Sequence, residues 1–194
     1  INRIFYVYLW AKTQKKVKMK RILIVTFLLL LTLGATARGP QRGANAKVIA
    51  HRGYWMADGS AQNSIRSLVL ADSIGCWGSE FDVWISKDGT LFVNHDATIN
   101  GVEIQKSKAR EVARQKLING ENIPTLDELL QAAVNLPRLH LVCELKPHTN
   151  KKQELKAVKK IIKTVAKYGL QDRTTYITFS LEGMKNLIKF APAG

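Results

Sequence analysis

From Lys47 onward the chain alternates between short strand-like and longer helix-like hydrophobic patterns. Lys47–His51 (KVIAH) predicts a short apolar strand that ends in polar residues. Gln62–Ile74 carries Ile65, Leu68, Val69 and Ile74 at helical spacing, and Gly75 is placed to stop the helix. Ser79–Ile85 alternates, with Glu80, Asp82 and Trp84 on one face and Phe81, Val83 and Ile85 on the other. Asp88-Gly89 predicts a turn and Thr90–Asn94 another strand. Residues 97–123 are polar and aperiodic and predict an inserted excursion. Thr125-x-x-Glu128 has the form of a capping box ahead of Leu129, Leu130, Ala133 and Val134. Leu139–Leu145 predicts a strand. Gln153–Tyr168 predicts an amphipathic helix with Leu155, Val158, Ile162 and Val165 as its stripe, lysines over the rest and Gly169 at its end. Thr174–Phe179 reads as a fifth strand and Leu181–Phe190 as a last helix.

Repeated βα units imply an α/β fold, a parallel sheet with helical cover. Several of these strands carry charged side chains near their C-terminal ends, where a β/α barrel places its active site. A closed (β/α)8 TIM-type barrel takes about 250 residues and eight strands. Residues 47–194 hold five predicted strands, so the expectation is an incomplete barrel in a fragment of a longer protein.

The first 46 residues follow another pattern. Met19 opens MKRILIVTFLLLLTLGATA: two cations, an apolar run from Ile22 to Leu33, then Ala35-Thr36-Ala37. This is the three-part form of a signal peptide over residues 19–37, with cleavage after Ala37 and export to the periplasm or the extracellular space. The run is shorter than the roughly 20 residues that span a bilayer, so no stable membrane anchor is expected after cleavage. Residues 1–18 read as upstream or mis-assigned sequence, and 38–46 as a linker.

Charge then needs correcting. The formal +15 falls to +8 after Ala37, because residues 1–37 hold seven Lys/Arg and no Asp/Glu. A net +8 favours anionic ligands. Much of it lies on the lysine-rich helix, and nothing interleaves aromatic with basic residues as nucleic-acid binding would require. Two cysteines, Cys76 and Cys143, are too few for a disulfide scaffold; buried free thiols are the expectation, a single bond after export the alternative.

Glu80 and Asp82 lie two apart on a strand, so both carboxylates point the same way. Like charges on an enclosed face repel and lose hydration unless a cation lies among them. With Glu144 from a separate strand end they form an all-oxygen set suited to one hard divalent ion, Ca²⁺ or Mg²⁺. The bland alternative is salt-bridged or solvent-facing strand ends. His51 and His95 lie at strand ends and suit acid–base work near neutral pH. In His51-Arg52-Gly53, Arg52 can grip phosphate oxygens in a fork and Gly53 allows a close backbone turn. Asp96 orients His95 or caps a loop. His140 falls at the end of its strand away from a site, and His148 on the loop after Lys146.

The ordered set His51–Gly53, Gln62-Asn63-Ser64, Glu80–Val83, Lys87–Leu91, His95-Asp96, Ile123–Leu126 and Glu144–Lys146 resembles the glycerophosphodiester phosphodiesterase family. The resemblance runs from about Val48 to Phe179. It implies a β/α barrel that cleaves glycerophosphodiesters, small-molecule substrates, to glycerol 3-phosphate and an alcohol. By position, Glu80, Asp82 and Glu144 would bind metal, and His51 and His95 would be the catalytic acid–base pair. Arg52 and Lys146 would neutralise the phosphoryl group, and Asn63 would hydrogen-bond near the site, on the substrate-binding side, or cap the helix.

The chain departs from the family at Ala61-Gln62-Asn63-Ser64, where many members read Pro-Glu-Asn-Thr, so a carboxylate at Gln62 is lost. The family's later strand-end elements are absent from these residues. Two further readings stand beside the first: an inactive, anion-binding barrel remnant, and a phosphoinositide-type lipid phosphodiesterase.

Overall fold

The computed structural model describes residues 46–191. The expected signal peptide, the segment before it and all but the last residue of the expected linker lie outside the described residues.

Strand β2 (Gly78–Ile85) is the axis of the fold, and all eight of its residues are buried. It lies between β1 (Ile49–Ala50) and β6 (His140–Leu145), both parallel to it, and β7 (Thr174–Thr178) extends the sheet beyond β6, also in parallel. Burial on both faces is what a parallel sheet under helices demands.

The five predicted strands form and pair in one sheet, but one direction does not follow the βα pattern. Strand β3 (Leu91–Val93) pairs antiparallel with β2, Val83 opposite Val93 and Ile85 opposite Leu91. The connection from Ser86 to Thr90 is too short for a parallel crossover, which takes a dozen or more residues. Asp88-Gly89 makes it a hairpin, with Gly89 at φ 103°. Four parallel strands therefore remain as barrel-type strands.

Helices follow local signals closely. Ser64 caps α1 (Ile65–Ser73) by accepting a hydrogen bond from the Ser67 amide. Thr125 and Glu128 form the full capping box of α3 (Leu126–Val134). Asn150 caps α4 (Lys151–Lys167), which starts two residues earlier than its apolar stripe suggests, and Ser180 caps α5 (Leu181–Phe190). Their apolar faces close over the sheet in one core that includes Leu68, Phe81, Leu130, Leu141, Val158 and Ile161. Each such side chain contributes about 1.5–3 kcal/mol on burial.

The excursion is more ordered than its polarity suggests. It holds a small hairpin, β4 (Thr98–Ile99) with β5 (Val102–Glu103), and one helical turn, α2 (Ala109–Val112). Ile99, Ile104, Val112 and Ile123 pack with Trp84 and Phe92 into a second core. Trp84 follows Asp82 along the same face of β2, and this satellite cluster packs on it. Cys143 is buried and Cys76 half-buried, both as free thiols. Among the described residues no helix is long and apolar enough to cross a membrane.

Candidate active site

Register brings the carboxylates together. In the parallel β2–β6 pair Asp82 lies opposite Glu144, and Glu80 is two residues back on the same face of β2. One oxygen from each of Glu80, Asp82 and Glu144 lies within 4.8 Å of the others, and all three residues are buried. Burial is the first cause that raises the Glu80 carboxyl to about 8, and the Asp82 charge adds to it. Burial also raises Glu144, again with Asp82 behind it.

Cations approach the cluster from the protein itself. Lys146 Nζ lies 2.8 Å from Asp82 Oδ1 and 2.7 Å from Glu144 Oε1. Burial alone would lower the Lys146 ammonium, but its contacts with Asp82 and Glu144 outweigh that and raise it. Each of these oxygens has a second lone pair and keeps acceptor capacity beside the ammonium, and Glu80 Oε1 is buried without any donor. An orphaned acceptor on Glu80, beside two carboxylates that share one ammonium, fits a hard divalent cation.

The loop after β1 supplies the other side. Arg52 adopts φ 59°, and its amide donates to Glu80 Oε2 at 2.8 Å. That turn continues through Gly53 at φ 75°, where a Cβ would fall 2.3 Å from Ser67 Oγ. The Arg52 guanidinium donates from Nη1 to Gln62 Oε1 at 2.7 Å, while Nε lies 3.9 Å from Asp82 Oδ2. Gln62, expected only as a lost carboxylate, therefore anchors the arginine. His51 Nε2 stands 3.9 Å from Glu80 Oε2. Burial and then the Arg52 charge lower the His51 imidazole below its ordinary value, which leaves it neutral at pH 7.

His95 lies on the loop after β3, and its Nδ1 is 2.7 Å from Asp96 Oδ1. A carboxylate accepts only, so Nδ1 carries the proton and Nε2 is left as the exchanging nitrogen. Asp96 orients His95, which was one of the two roles open to it. The Trp84 indole donates to the His95 carbonyl at 3.3 Å and ties this loop to the satellite core.

Asn63 takes the first of the two roles open to it, a hydrogen bond within the site. Its Nδ2 donates to Asp82 Oδ2 at 2.8 Å and its Oδ1 accepts from the Asp82 amide at 3.0 Å. The cap of α1 belongs to Ser64. Asn63 thus positions a carboxylate. His140 lies at the far end of β6, where it stacks on Trp77 and meets Thr175 Oγ1 at 2.8 Å. Beside the cluster a cleft of about 700 Å³ opens between the loop bearing Trp55 and Met56 and the excursion residues Asn100 and Ile118. Gln62 and Asp96 line it and link it to Arg52 and His95.

The profile of the Glycerophosphoryl diester phosphodiesterase family matches residues 42–193, nearly the whole of the segment that carries this geometry. The chain belongs to that family. It is 30% identical over 158 residues to a glycerophosphodiester phosphodiesterase of Caldanaerobacter subterraneus subsp. tengcongensis, covering 75% of this chain and 63% of the relative. A crystal structure of a glycerophosphodiester phosphodiesterase from Parabacteroides distasonis superposes with TM-score 0.74 at 44% identity, covering 75% of this chain and 61% of that one. A phosphodiesterase from Oleispira antarctica, solved with the product sn-glycerol-3-phosphate, superposes with TM-score 0.62 at 27% identity, covering 72% and 60%. These likenesses identify the α/β sheet as part of a TIM-type barrel. The chain spans less than two thirds of the length of each of these three relatives.

Proposed function

We propose that this chain supplies the reacting centre of an exported phosphodiesterase that hydrolyses glycerophosphodiesters to glycerol 3-phosphate and an alcohol with a divalent cation. The observation that carries the reading is the buried cluster of Glu80, Asp82 and Glu144, whose oxygens converge within 4.8 Å and include an acceptor with no donor. Family membership and the product-bound Oleispira relative support the substrate class. The signal-peptide pattern of residues 19–37 supports export.

Glu80, Asp82 and Glu144 would hold Ca²⁺ or Mg²⁺, which when bound polarises a phosphoryl oxygen and offsets charge on the phosphorane-like transition state. Arg52, held by Gln62, directs its guanidinium at the phosphate, and Lys146 adds a second positive charge from the opposite strand. His51, neutral because of burial and Arg52, takes the proton from the attacking hydroxyl. His95 would act as the imidazolium, with Asp96 holding its Nδ1 proton; it gives its Nε2 proton to the departing alcohol oxygen and is left as the Nδ1–H tautomer. With water as the nucleophile, a P–O bond to the water oxygen forms as the P–O bond to the alcohol breaks; His51 is left protonated and His95 neutral, and exchange with solvent restores both for the next turnover.

The test is release of glycerol 3-phosphate from glycerophosphocholine by the full chain, with and without chelator. Loss of turnover on chelation, and again in His51→Ala or His95→Ala by a factor of about 10²–10⁴, is the expected result. Undiminished turnover in chelator, or in either variant, defeats the reading. Release of a cyclic inositol phosphate from phosphatidylinositol instead would favour the lipid phosphodiesterase.

A further inference from the structure

Beyond the carboxylate cluster, a buried polar clasp closes the C-terminal end of β6. The His148 ring donates from Nδ1 to the Lys146 carbonyl at 2.7 Å and accepts at Nε2 from the Ile85 amide at 3.2 Å. A carbonyl can only accept and an amide N–H can only donate, so these two bonds define one neutral tautomer with its proton on Nδ1. The imidazole thereby joins the end of β2 to the residue that follows β6, and the Trp84 ring covers it at 5.2 Å between centroids. Its own backbone is braced from below. The His148 amide donates to Glu154 Oε2 at 2.9 Å, and Ser180 Oγ donates to Glu154 Oε1 at 2.7 Å. Glu154 is 2% exposed, although it sits on a helix otherwise dressed in lysines. A buried carboxylate is costly unless both oxygens are satisfied, so its retention points to a task.

That task can be read from what the clasp holds. Lys146 is the residue between Glu144 and the loop, and its ammonium must sit between Asp82 on β2 and Glu144 on β6. A long flexible side chain loses about 2 kcal/mol of rotamer freedom when fixed this way. The backbone from which it springs is tied to β2 on both sides: the Lys146 amide donates to the Val83 carbonyl at 3.2 Å, and the His148 ring links the Lys146 carbonyl to the Ile85 amide. We propose that His148, held in its Nδ1–H form and braced by Glu154, is a positioning residue that fixes Lys146 for its contact with the phosphoryl group. The phosphoryl role of Lys146 rests on the function proposed above; its placement does not.

The experiment reads the placement directly. The full chain is treated with acetic anhydride, and acetylation of Lys146 is compared by mass spectrometry with that of exposed Lys151 and Lys152. In the wild type Lys146 reacts slowly, being buried and ion-paired. His148→Ala is expected to raise its relative rate about fivefold, the factor that one intramolecular hydrogen bond is worth. His148→Gln, whose side-chain oxygen can still accept from the Ile85 amide, should keep the slow rate. A folded His148→Ala chain with unchanged Lys146 labelling overturns the proposal, as does a fast rate in the Gln variant.

Should the Ala variant not fold, the ¹⁵N shifts of the wild-type His148 ring decide. A protonated Nδ1 with an unprotonated Nε2 at pH 7 supports the clasp; the opposite tautomer or an imidazolium refutes it. Neither readout uses turnover or a bound metal, so failure of the proposed function and failure of this inference remain separate results.

Discussion

Asn63 and Asp82 hold each other through two reciprocal hydrogen bonds, of 2.8 Å from Asn63 Nδ2 and 3.0 Å from the Asp82 amide. Both residues are at most 2% exposed, so neither bond can be replaced by solvent. Asn63 also adopts φ 61°, a conformation that asparagine tolerates better than most side chains. Asn63→Ala leaves a buried amide and a buried carboxylate oxygen without a partner and should cost about 2–4 kcal/mol, measured by urea denaturation. Asn63→Asp keeps the acceptor but adds a fourth negative charge, and should be rescued in part by Ca²⁺. A variant with either change and wild-type stability in chelator would show that the pair does not hold the site.

The Glu80 carboxyl, pushed to about 8 by burial and by Asp82, makes stability depend on pH in a defined direction. Its ordinary value is 4.5. Between those two values the native state keeps a proton that the unfolded chain has released, so the native state binds more protons. Its contribution is fully present below about 4.5 and is lost as pH rises through about 8. In chelator, the Tm should therefore fall from pH 5 to pH 8. Ca²⁺ favours the ionised carboxylate, so the Tm gain on adding it should grow over the same range. Glu80→Gln should flatten both trends; a Ca²⁺ shift that is unchanged in this variant would remove Glu80 from the ligand set.

Gly53 lies in a turn that side chains do not fit. A Cβ there would lie 2.3 Å from Ser67 Oγ and 2.7 Å from the Ser67 carbonyl carbon, with φ at 75°. The hydroxyl could rotate away, but the backbone contact forces the loop to move. Gly53→Ala is expected to lose more than about 2 kcal/mol. Because Arg52 precedes it, the Arg52 amide bond to Glu80 should go as well, and Ca²⁺ affinity with it. Calorimetric titration of the folded fraction separates the two effects.

Legibility followed the range of the interaction. The Thr125–Glu128 capping box, the stop at Gly75 and the pairing of Glu80 with Asp82 on one face are decided within a few residues, and the sequence alone was enough. The direction of β3 was also written locally, in the Asp88-Gly89 turn, but the surrounding βα rhythm outweighed it. Other features depend on contacts across the fold. Asn63 could be assigned to Asp82 only once β2 lay beside α1. The satellite core of the excursion has no period, because Ile99, Ile104, Val112 and Ile123 arrive from separate turns. Glu154 gave no sign at all: a first-turn glutamate among lysines reads as a surface residue, and only the position of Ser180 and His148 makes it internal.

Gln153 ties the excursion to the barrel strands. Its Nε2 donates to the Gln105 carbonyl at 3.0 Å and lies within 3.3 and 3.4 Å of the carbonyls of Ile85 and Ser86. Thr149 adds a bond from its amide to Gln105 Oε1 at 3.2 Å. Gln153→Ala should cost about 1–2 kcal/mol in stability. The larger effect should be local, with faster amide exchange around Gln105 and Ser107 while the β2–β6 ladder stays protected. Uniform loss of protection would mean that excursion and sheet unfold as one unit.

Gln62 offers a test of how charge is shared across the site. It accepts from Arg52 Nη1 at 2.7 Å. Gln62→Glu keeps the length and turns that hydrogen bond into an ion pair. The added negative charge lies near three carboxylates and should strengthen cation binding; an extra contribution of about 1 kcal/mol corresponds to about fivefold in affinity. The same pairing draws Arg52 away from an incoming phosphate, so glycerol 3-phosphate should bind more weakly at fixed Ca²⁺. Opposite shifts in the two titrations are the expected result. Parallel shifts would mean that Arg52 is fixed elsewhere and that Gln62 only fills the turn.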